Sequence, residues 1–193
     1  YLINKGFDMD DVVRSGLAIK TEHGKYVDRF RGRIMFPIHN HFGKVVGFSG
    51  RILPELESNE VGKYVNSPET PIFNKSRLLY GFWDTKNSIR ETGTVLLVEG
   101  QMDFLMAWQD GVRNVTATSG TALTPDHLRT LRRVADKIIL GFDNDEAGIM
   151  AAERSIDLAG ANDFNVYVLP FGEGEAKDPA ELVKTSPGKL AEL

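Results

Sequence analysis

TVLLVEGQMDFLMAWQD, residues 94–110, decides the fold. TVLLVE (94–99) is a continuous apolar run, the mark of a strand buried on both faces. QMDFLMAWQD (101–110) reads as a helix, and Gly100 lets the chain turn sharply between the two. The alternation continues toward the carboxyl end. NVTAT (114–118) is a second strand. TPDHLRTLRRV (124–134) is a helix with a Thr cap, Pro125 at its first position and Asp126 in its first turn. KIILGFD (137–143) is a third strand, DEAGIMAAERSIDLAG (145–160) a helix that stops at Gly160, NVYVLP (165–170) a fourth strand, and DPAELVK (178–184) a short final helix. Strands alternating with helices predict an α/β fold, a parallel sheet of about four strands flanked by helices.

Toward the amino end the pattern changes near residue 90. Asp8 is placed to cap a short helix running to about Ser15. IMFPIH (34–39) and KVVGFSGRIL (44–53) are apolar strand candidates joined by the turn-like NHFG, and PELESNEVG (54–62) reads as a polar loop. KYVNSPETPIFNKSRLLYG (63–81) carries two prolines, which disfavour a regular helix or a central strand. Residues 1–90 therefore read as a smaller mixed α+β subdomain and residues 91–193 as the α/β domain.

In open parallel sheets, ligands bind beyond the carboxyl ends of the strands. Two strands end there in carboxylates: Glu99 closes the first, and Asp143 and Asp145 follow the third. A Glu closing a buried strand is costly without a partner. If the two strands are neighbours, three carboxylates converge, and like charges at that range need a cation between them. Mg²⁺, which prefers oxygen ligands, suits the set, with Mn²⁺ as a substitute. Asp178 is a further candidate ligand, and Lys177 beside it can meet a phosphate. Asp103 lies four residues after Glu99 and is placed to hold the turn by a hydrogen bond, as a support rather than a ligand. Asp145 and Asp178 also fit simple helix caps, and each reading stays open. SGTAL (119–123) offers backbone N–H groups to an anion, or is an ordinary tight turn.

Composition narrows the classes. The 193 residues are 41% hydrophobic and 26% charged, as expected of a globular domain. No run approaches the ~20 apolar residues of a membrane helix. The opening YLINKGFDMDD lacks the features of a signal peptide and reads as the interior of a longer chain. There is no cysteine, so this segment holds neither a disulfide nor a thiolate zinc site. The net charge of -4 hides an asymmetry: residues 1–90 carry 14 Lys and Arg against 10 Asp and Glu, residues 91–193 carry 9 against 17. A cationic first half is compatible with nucleic acid.

Read together, EGQMD (99–103) and DND (143–145) resemble the TOPRIM domain shared by DnaG-type primases, topoisomerases and some nucleases. DNDEAG (143–148), SGTALT (119–124) and Lys177–Asp178–Pro179 match the primase versions of these motifs. RGRIMFPIHNHFGKVVGFSGRIL (31–53) with KYVNSPET (63–70) resembles the amino-terminal subdomain of the primase polymerase core. The resemblance covers nearly the whole chain. It implies a cytoplasmic DNA-directed RNA polymerase that makes RNA primers on a single-stranded DNA template from NTPs. It also implies a replicative helicase partner, met through a domain absent from this segment.

Carried over by motif, Glu99, Asp143, Asp145 and Asp178 are the metal ligands. Arg33, Arg51, Lys63, Tyr64, Asn66 and Lys75 handle nucleic acid or nucleotide, with Arg77 and Arg31 weaker members. Glu99 serves either as metal ligand or as general base. Gln101 stands where many primases have Tyr, and Ala180 interrupts the acids that often follow Lys-Asp-Pro. The rival readings are a topoisomerase or nuclease piece and a non-catalytic DNA-binding recombination module.

Overall fold

The computed structural model describes residues 1–171 and 176–193. They form two compact units, residues 1–40 with 44–74, and residues 41–43 with 75–193.

The first unit opens with helix α1 (Met9–Arg14), started by Asp8, whose Oδ1 accepts the Asp10 N–H at 2.8 Å. A small hairpin of β1 (Ala18–Lys20) and β2 (Tyr26–Asp28) follows. The main sheet is antiparallel, in the order β3 (Arg33–His39), β4 (Val45–Ile52), β5 (Tyr64–Asn66). The two long strands are those the sequence foretells, joined at Asn40–Gly43. Pro54–Leu56 forms a single 3-10 turn within the expected loop. The proline-bearing 63–81 segment supplies the three-residue β5 at the sheet edge, a 3-10 turn at Lys75–Arg77 and isolated bridges of Thr70 with Phe73 and Tyr80 with Ala117. The hairpin at 18–28 has no sequence signal, because its strands hold three residues each and only Ala18 is buried.

The second unit begins with helix α2 (Phe82–Thr92), then alternates β6 (Thr94–Val98), α3 (Gln101–Gln109), β7 (Val115–Ala117), α4 (Pro125–Leu131), β8 (Lys137–Gly141), α5 (Glu146–Gly160), β9 (Asn165–Val168), α6 (Pro179–Thr185) and α7 (Lys189–Glu192). The four strands are parallel in the order β7-β6-β8-β9. Strand alternation sends successive side chains to opposite faces. Val95, Leu97, Ile138 and Leu140 are fully buried against Phe82 and Ile89 of α2, Leu128 and Leu131 of α4, and Ala159 of α5. On the other face lie Leu96 and Val98. A Cβ built on Gly141 would stand 3.1 Å from Leu96, 3.4 Å from Val98 and 3.5 Å from Pro179, so α6 covers this side closely. Both faces of the central strand β6 are therefore covered, as its apolar sequence requires, whereas the edge strand β9 leaves Tyr167 and Val168 exposed. Helix α2 escapes a sequence reading because FWDTKNSIRET is mostly polar and buries only Phe82, Thr85 and Ile89. Among the described residues, no helix is long and apolar enough to cross a membrane.

Candidate metal centre

The site is built where β6 and β8 end. These strands are direct neighbours, paired from Thr94↔Lys137 to Val98↔Gly141, which meets the condition for convergence. Glu99 follows β6 at once, and its Oε1 accepts the backbone N–H of Asp143 at 3.1 Å. That bond spans the two strand ends and fixes where the β8 loop leaves the sheet.

Asp143, Asp178 and Asp103 form the tight group: one carboxylate oxygen from each lies within 4.8 Å of the other two. Asp143 and Asp178 stand where the sequence predicts metal ligands. Asp103 is the addition. It does hold the turn, since its Oδ2 accepts the Gly100 N–H at 3.1 Å, and its Oδ1 also accepts the Ala180 N–H at 3.3 Å. The same buried side chain thus pins α3, the Gly100 turn and the start of α6 together, and adds a third charge to the cluster. Its position four residues after Glu99 was visible in EGQMD; that it reaches α6 was not, because that contact spans 77 residues.

Asp145 is exposed and caps α5, its Oδ1 accepting the Gly148 N–H at 2.8 Å. Asp178 caps α6 in the same way through the Glu181 N–H at 2.6 Å. Capping and ligation are therefore not exclusive at Asp178, which does the first with one oxygen and still joins the acidic group. Lys177 is tied in through its backbone: its carbonyl accepts the Asn144 N–H at 2.6 Å, and its own N–H donates to Glu181 Oε2 at 2.8 Å. This links the loop after β8 to the loop before α6.

The electrostatics follow from the crowding. Burial, then the charges of Glu99, Asp103, Asp178 and Asp145, push the Asp143 carboxyl up to about 7. Burial and then Asp178 push Asp103 up to about 6. Glu99 is raised by burial, opposed by its hydrogen bond from Asp143 and reinforced by the charge of Asp145. Such a set fits a divalent cation, which would neutralise the mutual repulsion and accept hard oxygen donors.

A third loop completes the rim. Thr118 donates its N–H to the Val98 carbonyl at 3.1 Å, and Ser119 donates to the Glu99 carbonyl at 2.9 Å. Buried Gln101 donates through Nε2 to Ser119 Oγ, so the residue that departs from the family pattern ties the Gly100 turn to SGTAL.

The remaining candidates divide between the two units. In the first, Arg51 and Tyr64 are cross-strand partners, with the guanidinium 5.9 Å from the ring centroid. Tyr64 and Asn66 are half-buried in β5, and Lys63, just before it, is exposed. Arg33 pairs with Ile52, one residue from Arg51, so alternation sends Arg33 and Arg51 to opposite faces. The Arg33 guanidinium is engaged with the carbonyls of Gly50 at 3.0 Å and Lys63 at 3.2 Å, a bond set that locks the sheet edge. Arg31 is exposed.

In the second unit, Lys75 and Arg77 sit on the 3-10 turn. Arg77 faces Asp126 across 3.7 Å. The turn is strapped down by buried His127, whose Nε2 lies 3.0 Å from the Lys75 carbonyl, and by Thr124, which donates to the Ser76 carbonyl at 2.6 Å. Sequence reading passes over His127, since one His in an amphipathic helix carries no signal of a contact 52 residues away.

Comparison with known proteins gives a consistent result along the chain. Residues 1–86 match the family described as DNA primase catalytic core, N-terminal domain, and residues 96–183 match the Toprim-like family. A DNA primase of Geobacillus stearothermophilus is 43% identical over 188 residues, covering 97% of this chain and 30% of the relative. That of Enterococcus faecalis is 42% identical over 175 residues, covering 88% and 27%. The chain thus spans less than a third of the length of these relatives. Among solved structures, a DNA primase domain from Pseudomonas aeruginosa superposes with a TM-score of 0.87 at 36% identity, covering 99% of this chain and 60% of that one. A DnaG primase catalytic domain bound to ssDNA superposes with a TM-score of 0.84 at 34% identity, covering 99% and 60%.

Proposed function

Because this chain belongs to the DnaG-type primase catalytic-core family, we propose that it performs DNA-directed synthesis of RNA primers by nucleotidyl transfer. The observation that carries the reading is the carboxylate cluster at the adjacent ends of β6 and β8. In the reaction a 3′-hydroxyl attacks the α-phosphate of a nucleoside triphosphate. The new O–P bond forms as the bond to pyrophosphate breaks, and the hydroxyl proton passes to a base.

Asp143, Asp178 and Asp103, with Glu99 and Asp145 beside them, would hold Mg²⁺, or Mn²⁺ in its place. When bound, such ions lower the pKa of the attacking hydroxyl and neutralise charge on the reacting phosphate. Asp143 contributes a carboxylate whose proton affinity is raised by burial and by its acidic neighbours, so a bound cation would favour its ionised form. Asp103 positions the start of α6, and with it Asp178. Glu99 orients the Asp143 backbone, and its raised proton affinity suits it equally to take the hydroxyl proton.

In the first unit, Lys63, Arg51, Tyr64 and Asn66 are the residues we assign to the strand or nucleotide, the cations against phosphate and Tyr64 by stacking. Lys75 and Arg77 contribute further cations. Arg33 acts mainly by holding β5 in place. The template is single-stranded DNA, as in the ssDNA-bound relative, and a replicative helicase would be met through a part of the protein outside these residues.

The reading is tested by incubating the chain with single-stranded DNA, NTPs and Mg²⁺ or Mn²⁺ and following template-dependent RNA oligomers. DNA nicking without NTP incorporation would indicate a nuclease instead, and DNA binding with neither activity a non-catalytic module. Lys63→Ala should weaken single-stranded DNA or nucleotide binding severalfold and flatten its salt dependence, with Mn²⁺ affinity unchanged. Identical isotherms for both ligands would remove Lys63 from the interface.

A further inference from the structure

A pocket of about 480 Å³, which shares Glu99 with the acidic site, is left unexplained by the metal chemistry. Its size falls within the roughly 300–1,000 Å³ of small-ligand sites. One part is apolar, from Leu123, Phe142, Ala151 and Leu158; the rest comes from Thr118, the 120–122 loop, Glu99, Ser155 and Arg154.

Two features of this lining point to an anion. Arg154 is exposed on α5 and makes no ion pair or hydrogen bond among the described residues. The backbone N–H groups of Gly120, Thr121 and Ala122 likewise donate to no group among the described residues. The reason is local: Ser119 and Gly120 take φ of 61° and 73°, which turns this stretch out of the β7 ladder before α4 begins. A guanidinium and a run of unpaired N–H groups around one concavity form the donor set that phosphate oxygens prefer. The apolar part suits a base or sugar. Glu99 in the same lining repels an anion unless a cation is present, so binding should strengthen when Mn²⁺ is added.

We propose that this pocket is a phosphate-binding subsite, with Arg154 as its charged anchor and the 120–122 loop as its neutral donors. The proposal rests on the nucleotide-handling reading for the class of ligand. The phosphate belongs either to a free nucleotide or to the backbone of a bound strand.

Calorimetric titration of the chain in Mn²⁺ with ATP, adenosine and a short single-stranded DNA decides the matter, comparing wild type with Arg154→Gln and Arg154→Lys. Arg154→Gln should weaken ATP about tenfold, the effect of losing one charge-assisted hydrogen bond. Adenosine should be unaffected, and Arg154→Lys should recover part of the loss. Weakening confined to the DNA would assign the phosphate to the strand instead. Isotherms unchanged by Arg154→Gln for both ATP and DNA, or a wild-type chain that binds neither, would overturn the subsite. Primer synthesis by wild type alongside Arg154-independent binding sinks the subsite alone. Arg154-dependent binding by a chain that makes no primers sinks the primer-synthesis reading alone.

Discussion

Asp143→Asn should lower primer synthesis by about a thousandfold or more while the fold persists, the scale expected when a fixed charge at a reacting centre is removed. The substitution keeps the shape and the backbone N–H that bonds Glu99, and removes the carboxylate on which the charges of Glu99, Asp103, Asp178 and Asp145 all act. The same variant has a signature in stability. The unfolded carboxyl titrates near 4, whereas the folded one is pushed up to about 7. The folded state therefore binds the proton more tightly in between, and metal-free stability falls as pH rises from about 4 through 7. Asp143→Asn should flatten that decline and leave the metal-free protein more stable than wild type above pH 7. It should also abolish the rise in melting temperature that Mn²⁺ gives wild type, a rise itself larger at pH 8 than at pH 5 because the ligands must be deprotonated. Wild-type primer synthesis in the variant would dismantle the site.

Gly148→Ala should be almost as damaging, although it changes no charged group. In an ordinary helix this replacement stabilises by roughly 1 kcal/mol. Here the added Cβ would lie 2.0 Å from the Asp143 carbonyl oxygen and 2.8 Å from its carbon, and the obstacle is backbone. The Asp143–Gly148 loop must move, carrying Asp143 away from Asp103 and Asp178 and straining the Asp145 cap. Overpacking of this kind costs about 1–3 kcal/mol, which outweighs the helical gain. The expected outcome is a lowered melting temperature and primer synthesis down by a hundredfold or so, since ångström-scale misplacement is enough to lose that much. Unchanged activity and melting would mean that the close approach at Gly148 is unimportant.

These two positions show what the sequence makes legible. Apolar strands followed by acids identify β6 and β8, and Gly148 stands in the D-x-D-x-A-G motif. What the sequence withholds is the partner. Asp103 and Ala180, Glu99 and Asp143, His127 and Lys75 are joined only by the folded chain. Charge also misleads when read alone. Arg33 and Arg51 look equivalent in sequence, yet strand alternation sends them to opposite faces and Arg33 is occupied by two carbonyls. Arg154 raises no signal in AAERSID and acquires one only from the loop that faces the same pocket. Helix α2 is missed because its polar sequence presents only two large apolar residues to the core.

Anomalous diffraction from crystals of the chain grown with Mn²⁺ reads the central assignment directly. A peak about 2.0–2.3 Å from carboxylate oxygens of Asp143 and at least one of Asp178, Asp103, Glu99 or Asp145 is the expected result. A manganese-saturated crystal with no anomalous density among those five side chains would contradict the account.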